Sequence, residues 1–233
     1  MVRFLLVVAC LLLGAMLGYT GAFFHLRDVV RETPSREGSQ AFGHVIEEAT
    51  GHTVLPIGPE SDDVLEALAK AAEETVNLLN QDNSPLKGLR RINEASKYFE
   101  EALMGFINSS PQLACEIPTT TAGKAQRSGY PDLKITHLPS QRTYYLDPKL
   151  YEDSSRHSSL RTFYYTPRKE TSKIHFDAHH LLIGFAHDGQ DGDWTFTSWT
   201  LVDLSRTELK LKSEYNASNK VLYSAATILR QSE

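Results

Sequence analysis

Cysteine is nearly missing from this chain. Of two in 233 residues, Cys10 falls in an N-terminal apolar run and only Cys115 remains in the body of the sequence. That pair implies no intrachain disulfide framework, and Cys115 reads as a small buried hydrophobe rather than a nucleophile. A surplus of positive charge is missing too. The formal net charge is -5, which argues against a general nucleic-acid-binding surface. There is no internal repeat and no low-complexity tract. What is present is 41% hydrophobic and 23% charged residues, enough for a packed core in one domain with accessory segments.

The charge is unevenly spread. Residues 25–84 carry 4 Lys/Arg against 12 Asp/Glu, whereas residues 124–173 carry 10 against 5. A polyanion would be held by the second stretch and repelled by the first. A plain solvated face is the competing explanation.

Met1-Val2-Arg3 precedes an uncharged apolar run over residues 4–24. A short basic start and a long apolar run predict a signal peptide or an N-terminal membrane anchor over residues 1–24, in the form of an apolar helix. The protein is then expected to be exported (secreted or periplasmic) or tethered to a membrane through residues 4–24. Residues 25–60 contain Pro34, Pro56 and Pro59 and read as a linker. The folded domain is therefore expected over residues 61–233.

Ser61-Asp62-Asp63 supplies an N-cap and first-turn acids, and Val64, Leu65, Leu68, Ala71, Ala72, Val76 and Leu79 follow as an apolar stripe, so a helix is expected from Ser61. A second is expected from about Pro85 to Asn108, ended by Ser109-Ser110-Pro111. From Asp132 the pattern changes to short aromatic and β-branched runs punctuated by Gly, Pro, Asp and Ser, which predict strands. Residues 218–230 fit a last helix or strand. Two helices followed by strands predict one mixed α/β domain with a central sheet flanked by helices.

One strand carries unusual chemistry. In Arg142-Thr143-Tyr144-Tyr145-Leu146-Asp147-Pro148-Lys149-Leu150-Tyr151, alternation puts Asp147 and Lys149 on one face and Tyr144, Leu146 and Leu150 on the other. A half-buried face avoids charges unless something pairs them. A hairpin around Pro139-Ser140-Gln141 would bring Asp132 to Asp147. Two adjacent carboxylates repel unless a cation bridges them, and Mg2+ suits such oxygen ligands.

Pro131-Asp132, then Asp147-Pro148-Lys149 after a spacer of 14 residues, resembles the PD-(D/E)xK restriction-endonuclease-like nuclease family. The resemblance covers residues from about 85 to 205. It implies a mixed sheet with the site on adjacent strands and Mg2+- or Mn2+-dependent cleavage of phosphodiester bonds in DNA. It further implies Asp132 and Asp147 as metal ligands, Lys149 as the group serving the attacking water, and a glutamate from a preceding helix. Glu100, which follows Phe99, Glu94 and Glu101 are the candidates. Pro148 departs from a central strand, because proline belongs at edges or bulges.

Two other function classes remain open. His175, Asp177 and His179 alternate, so on one strand face they would suit a Zn2+ or Fe2+ metallohydrolase acting on a different substrate. A non-catalytic exported binding domain on a degenerate nuclease fold is the third reading. Arg161, Arg168, Lys169 and Lys173 frame Phe163-Tyr164-Tyr165, and Arg161, Lys169 and Lys173 with His179 and His180 are candidate nucleic-acid contacts; core aromatics flanked by solvated charges are the alternative. The partners expected are DNA, a membrane and a second copy in a homodimer.

Overall fold

The computed structural model describes residues 38–211 and 215–232. In chain order its elements are β1 (Ser39–Ala41), α1 (Phe42–Thr50), β2 (Val54–Leu55), α2 (Asp62–Leu79), α3 (Ser96–Asn108), β3 (Leu113–Glu116), β4 (Leu133–His137), β5 (Arg142–Glu152), β6 (Arg161–Tyr165), β7 (Ala178–His187), β8 (Phe196–Asp203), β9 (Glu208–Leu211), β10 (Tyr215–Ser218), α4 (Asn219–Leu222) and β11 (Ile228–Gln231). The expected hairpin forms: β4 and β5 pair antiparallel from His137 opposite Arg142 to Leu133 opposite Leu146.

That hairpin sits inside a mixed seven-stranded sheet of order β11-β8-β7-β5-β4-β3, with β2 attached to β7. The β5–β7 and β2–β7 pairs are parallel. Both faces of the sheet are covered. On one, α2 and α3 bring Leu68, Phe99, Leu103 and Ile107 against Tyr144, Leu146, Ile183 and Leu201. On the other lies a second sheet of order β1-β9-β10-β6 together with α1. There Phe42, Ile46, Phe163 and Leu209 close over Tyr145, Tyr151, Leu182 and Val202. β5 therefore feeds a different core with each alternate residue, as its pleat dictates.

α2 follows the predicted stripe, with Val64, Leu65, Leu68, Ala71, Ala72, Val76 and Leu79 all buried. Ser61 precedes it but makes no side-chain cap. Its hydroxyl instead bonds the Tyr144 hydroxyl at 2.9 Å, tying helix to sheet. The second expected helix starts later than Pro85. A turn, with Gly88 in the left-handed region at φ 79°, and a 3-10 turn over Ile92–Glu94 come first.

The linker expected over residues 25–60 is corrected from residue 38 onward. β1 pairs with β9, β2 pairs with β7, and Phe42, Val45 and Ile46 of α1 are core residues. Burial of that apolar face outweighs the local proline and glycine signals. The apolar run over residues 4–24 lies outside the described residues. Among these, no helix is long and apolar enough to cross a membrane.

Candidate active site

β5 outruns its neighbour. β4 begins at Leu133 opposite Leu146, while β5 continues along β7 to Glu152 opposite His187. From Asp147 onward β5 is thus central on the β7 side and uncovered on the side β4 has left. This resolves the proline: Pro148 lies two residues past the last β4 pair, so no β4 acceptor there goes without its donor. The Pro148 carbonyl accepts instead from Lys149 Nζ at 3.1 Å.

One step beyond the last pair, Asp132 falls beside Asp147. The chain reaches it through Gly129, whose φ of 81° suits glycine, and a cis Tyr130–Pro131 peptide. Lys149 Nζ stands 2.6 Å from Asp147 Oδ2 and 3.4 Å from Asp132 Oδ2. Two carboxylates and one ammonium from adjacent strands therefore converge between the two sheets.

The electrostatics are tense. Asp147 is 2% exposed. Burial, with Asp132 adding to it and Lys149 opposing, pushes its carboxyl up to about 8. Burial alone would lower Lys149, but Asp147 and Asp132 overcome this and hold its ammonium above the ordinary lysine value. Asp147 Oδ2 is buried with the Lys149 ammonium 2.6 Å away, and Asp132 sets a second negative charge beside it. Two carboxylates this close, one of them buried, form an oxygen donor set that fits a hard divalent cation. No group of three His, Cys, Asp or Glu side chains among the described residues is arranged to hold a metal. Such an ion would draw its other ligands from water and phosphate, as Mg2+ commonly does.

The glutamate candidates separate. Glu100 on α3 lines the cleft that Asp132 and Lys149 line. Burial, then Asp132, raises its carboxyl, and Arg127 Nη1 lies 3.6 Å from its Oε2. Glu101 pairs with the same arginine at 2.8 Å on the exposed side. Glu94 is exposed on the 3-10 turn before α3 and does not line the cleft, because that turn precedes the helix proper. Among the described residues neither glutamate is gathered with Asp132 and Asp147 into one ready-made three-ligand set.

Three of the expected nucleic-acid contacts are corrected. Lys173, at 1% exposed, donates to the Gln126 carbonyl at 3.1 Å and makes no ion pair within 4.0 Å among the described residues. Burial lowers its ammonium, and Asp132, Asp147 and Glu100 act against that shift. His180 is buried against Tyr130, its Nδ1 2.7 Å from the tyrosine hydroxyl, and burial pushes it down to about 3. His179 faces the other way, stacked on Tyr144 and donating to the Leu55 carbonyl at 3.2 Å. A lysine and two imidazoles locked in the interior cannot meet a polyanion. Arg161 lines the cleft and Lys169 is exposed beyond it.

The competing metal site dissolves as well. β7 starts at Ala178, so His175 and Asp177 precede the strand that was to align them. His175 Nε2 donates to the Thr119 carbonyl at 2.8 Å, and Asp177 Oδ1 accepts from Thr53 N–H at 2.8 Å. Each of the three side chains is committed to a different segment. Sequence reasoning missed Arg127 and Gln126, which reach the site from an irregular loop with no periodic signal.

A mixed sheet that carries P-D where one strand begins and D-x-K on its antiparallel neighbour has the arrangement of PD-(D/E)xK-like nucleases. Comparison with known proteins gives the particular group. The model of the type II restriction enzyme MjaV family matches residues 36–226, and the chain belongs to that family. Over 206 residues it is 28% identical to the type II restriction enzyme MjaV of Methanocaldococcus jannaschii, covering 83% of this chain and 89% of that protein. The chain is accordingly an endodeoxyribonuclease. Membership also overturns the expectation of export or membrane anchoring, since restriction enzymes of this kind act in the cytoplasm.

Proposed function

We propose that this endonuclease is Mg2+-dependent, with Mn2+ able to substitute, and that it cuts DNA through Asp132, Asp147 and Lys149. The observation that carries the reading is the convergence of Lys149 Nζ on both carboxylates, at 2.6 Å and 3.4 Å. Asp132 and Asp147 would hold the cation. Bound there, the ion would lower the pKa of a water and neutralise charge on the phosphodiester.

The chain's own groups do the rest. Lys149, once Asp147 has another positive partner, is free to orient the attacking water or to donate to a phosphate oxygen as charge builds there. Glu100 reaches the same cleft and acts through water, with Arg127 holding its carboxylate. Lys173, buried beneath, offsets the repulsion among Asp132, Asp147 and Glu100 without touching substrate.

The test is plasmid cleavage by wild type, Lys149→Ala and Asp147→Asn, with and without Mg2+. Wild type cuts only with the metal. Each variant loses on the order of a hundredfold or more in rate, the scale of removing one preorganised charge from a transition state. Metal-independent cutting, or full activity in Lys149→Ala, contradicts the assignment.

A further inference from the structure

Two clefts open beside the acid cluster, and they share three residues: Asp132, Lys149 and Tyr164. The first, about 440 Å3, runs past Tyr130, Thr166 and Arg168. The second, about 530 Å3, runs past Glu100, Pro148 and Arg161. Each cleft thus has one arginine of its own, and the acid cluster sits where they meet. Tyr164 lines both clefts where they meet.

Tyr164 is out of place by the rules of its strand. Its neighbours Phe163 and Tyr165 are buried in the core between the sheets, whereas Tyr164 is 46% exposed. Alternation explains the direction of the side chain but not the choice of a large aromatic for an open face. The ring is also held ready. Its hydroxyl donates to the Arg161 carbonyl at 3.0 Å, and the Arg161 guanidinium lies 5.9 Å from the ring centroid. A buttressed, half-exposed aromatic that lines both clefts with Asp132 and Lys149, with one arginine in each cleft, matches how protein surfaces hold a nucleic-acid strand: bases stack on rings and phosphates pair with cations.

We propose that Tyr164 is a base-stacking platform for the DNA strand being cut, and that Arg168 and Arg161 hold the phosphates on either side of the one attacked. The strand would cross from one cleft to the other, with its scissile phosphate at Asp132 and Lys149. The base next to it leaves the duplex stack and rests on Tyr164. This rests on the nuclease reading above and adds to it the register of the substrate.

The experiment measures binding and cleavage separately. A duplex is cut by wild type, and end-sequencing locates the scissile bond. Affinity for that duplex is then measured with Ca2+ in place of Mg2+, for wild type, Tyr164→Ala, Tyr164→Phe, Arg161→Ala and Arg168→Ala. Melting temperatures are measured alongside. Tyr164→Ala should weaken binding on the order of tenfold, and Tyr164→Phe should stay within about twofold, because the ring and not the hydroxyl carries the contact. Making the bases beside the cut abasic should erase the difference between wild type and Tyr164→Ala. Each arginine variant should reduce the slope of log affinity against log salt by about 1. Unchanged affinity in Tyr164→Ala, or a loss that survives the abasic substitution, overturns the proposal. If Lys149→Ala is inactive while Tyr164→Ala behaves as wild type, the stacking platform fails and the nuclease assignment stands. If Lys149→Ala stays fully active, the assignment itself fails.

Discussion

The two faces of β5 make the sharpest contrast in the molecule. Towards α2 and α3 it presents Tyr144 and Leu146 to a core of Leu68, Phe99, Leu103, Ile183 and Leu201. Towards the four-stranded sheet it presents Asp147 and Lys149, with Lys173 and His180 also buried on that side. One strand therefore supplies both the most ordinary packing and the most costly charges. Burying carboxylate and ammonium groups costs several kcal/mol per ion before pairing returns any of it. The helix-side core, which includes Tyr144 and Leu146 of β5, offsets that cost. Stability and chemistry are divided across 180° of one strand.

The contrast can be broken from either side. Phe99→Ala on the helix side should cost about 3–5 kcal/mol and Leu146→Ala about 2–5 kcal/mol. Urea unfolding checks both, and the contrast fails if either loss is below about 1 kcal/mol. Gly184 is a smaller lever. It pairs with Lys149 across β5 and β7, and an added Cβ would lie 2.1 Å from the Tyr223 hydroxyl oxygen. Gly184→Ala should cost about 1–3 kcal/mol as overpacking. It should also slow cleavage beyond what lost folding explains, because Tyr223 is stacked on Tyr151 of β5 at 4.5 Å between ring centroids and would press on that strand. Equal losses in folded fraction and in rate would remove that coupling.

The charged face should respond in the opposite sense, and through pH. Without metal, folded Asp147 keeps its proton up to about 8, while the unfolded chain releases it near pH ~4. Between those values the folded state binds more protons, so this group's contribution to stability declines as pH rises from about 4 through about 8. Asp147→Asn removes the decline. At pH 8 the metal-free variant should melt about 2–4 °C above wild type, the shift that roughly 1 kcal/mol makes in a domain of this size. A variant that melts lower at pH 8 would show the carboxylate to be stabilising, and the contrast between the faces would go. The smallest effect is expected at the glutamates: Glu100→Gln should weaken Mg2+ activation several-fold and Glu94→Gln should leave it unchanged. Equal responses would mean that α3 does not aim Glu100 at the site.

The parts legible in the sequence are those with a strong local period. The α2 stripe and the β4–β5 alternation were readable, and with them the convergence of Asp132, Asp147 and Lys149. Distant partners decided the rest. β1 and β2, of three and two residues, are too short to show a period and exist because β9 and β7 pair with them. The fate of His175, Asp177 and His179 depends on Thr119, Thr53 and Leu55, which nothing near the histidines announces. Lys173 reads like any cation of a basic stretch until the fold encloses it. Pro148 looked misplaced only because alternation along β5 cannot tell where β4 stops.

Mn2+ titration followed by electron paramagnetic resonance tests the central claim most directly, using wild type, Asp132→Asn and Asp147→Asn at pH 8. The account predicts saturable Mn2+ binding by wild type that Mg2+ displaces and that either substitution weakens by at least about tenfold, in line with a loss of roughly 1.4 kcal/mol or more. Binding that both variants retain at wild-type strength would contradict it.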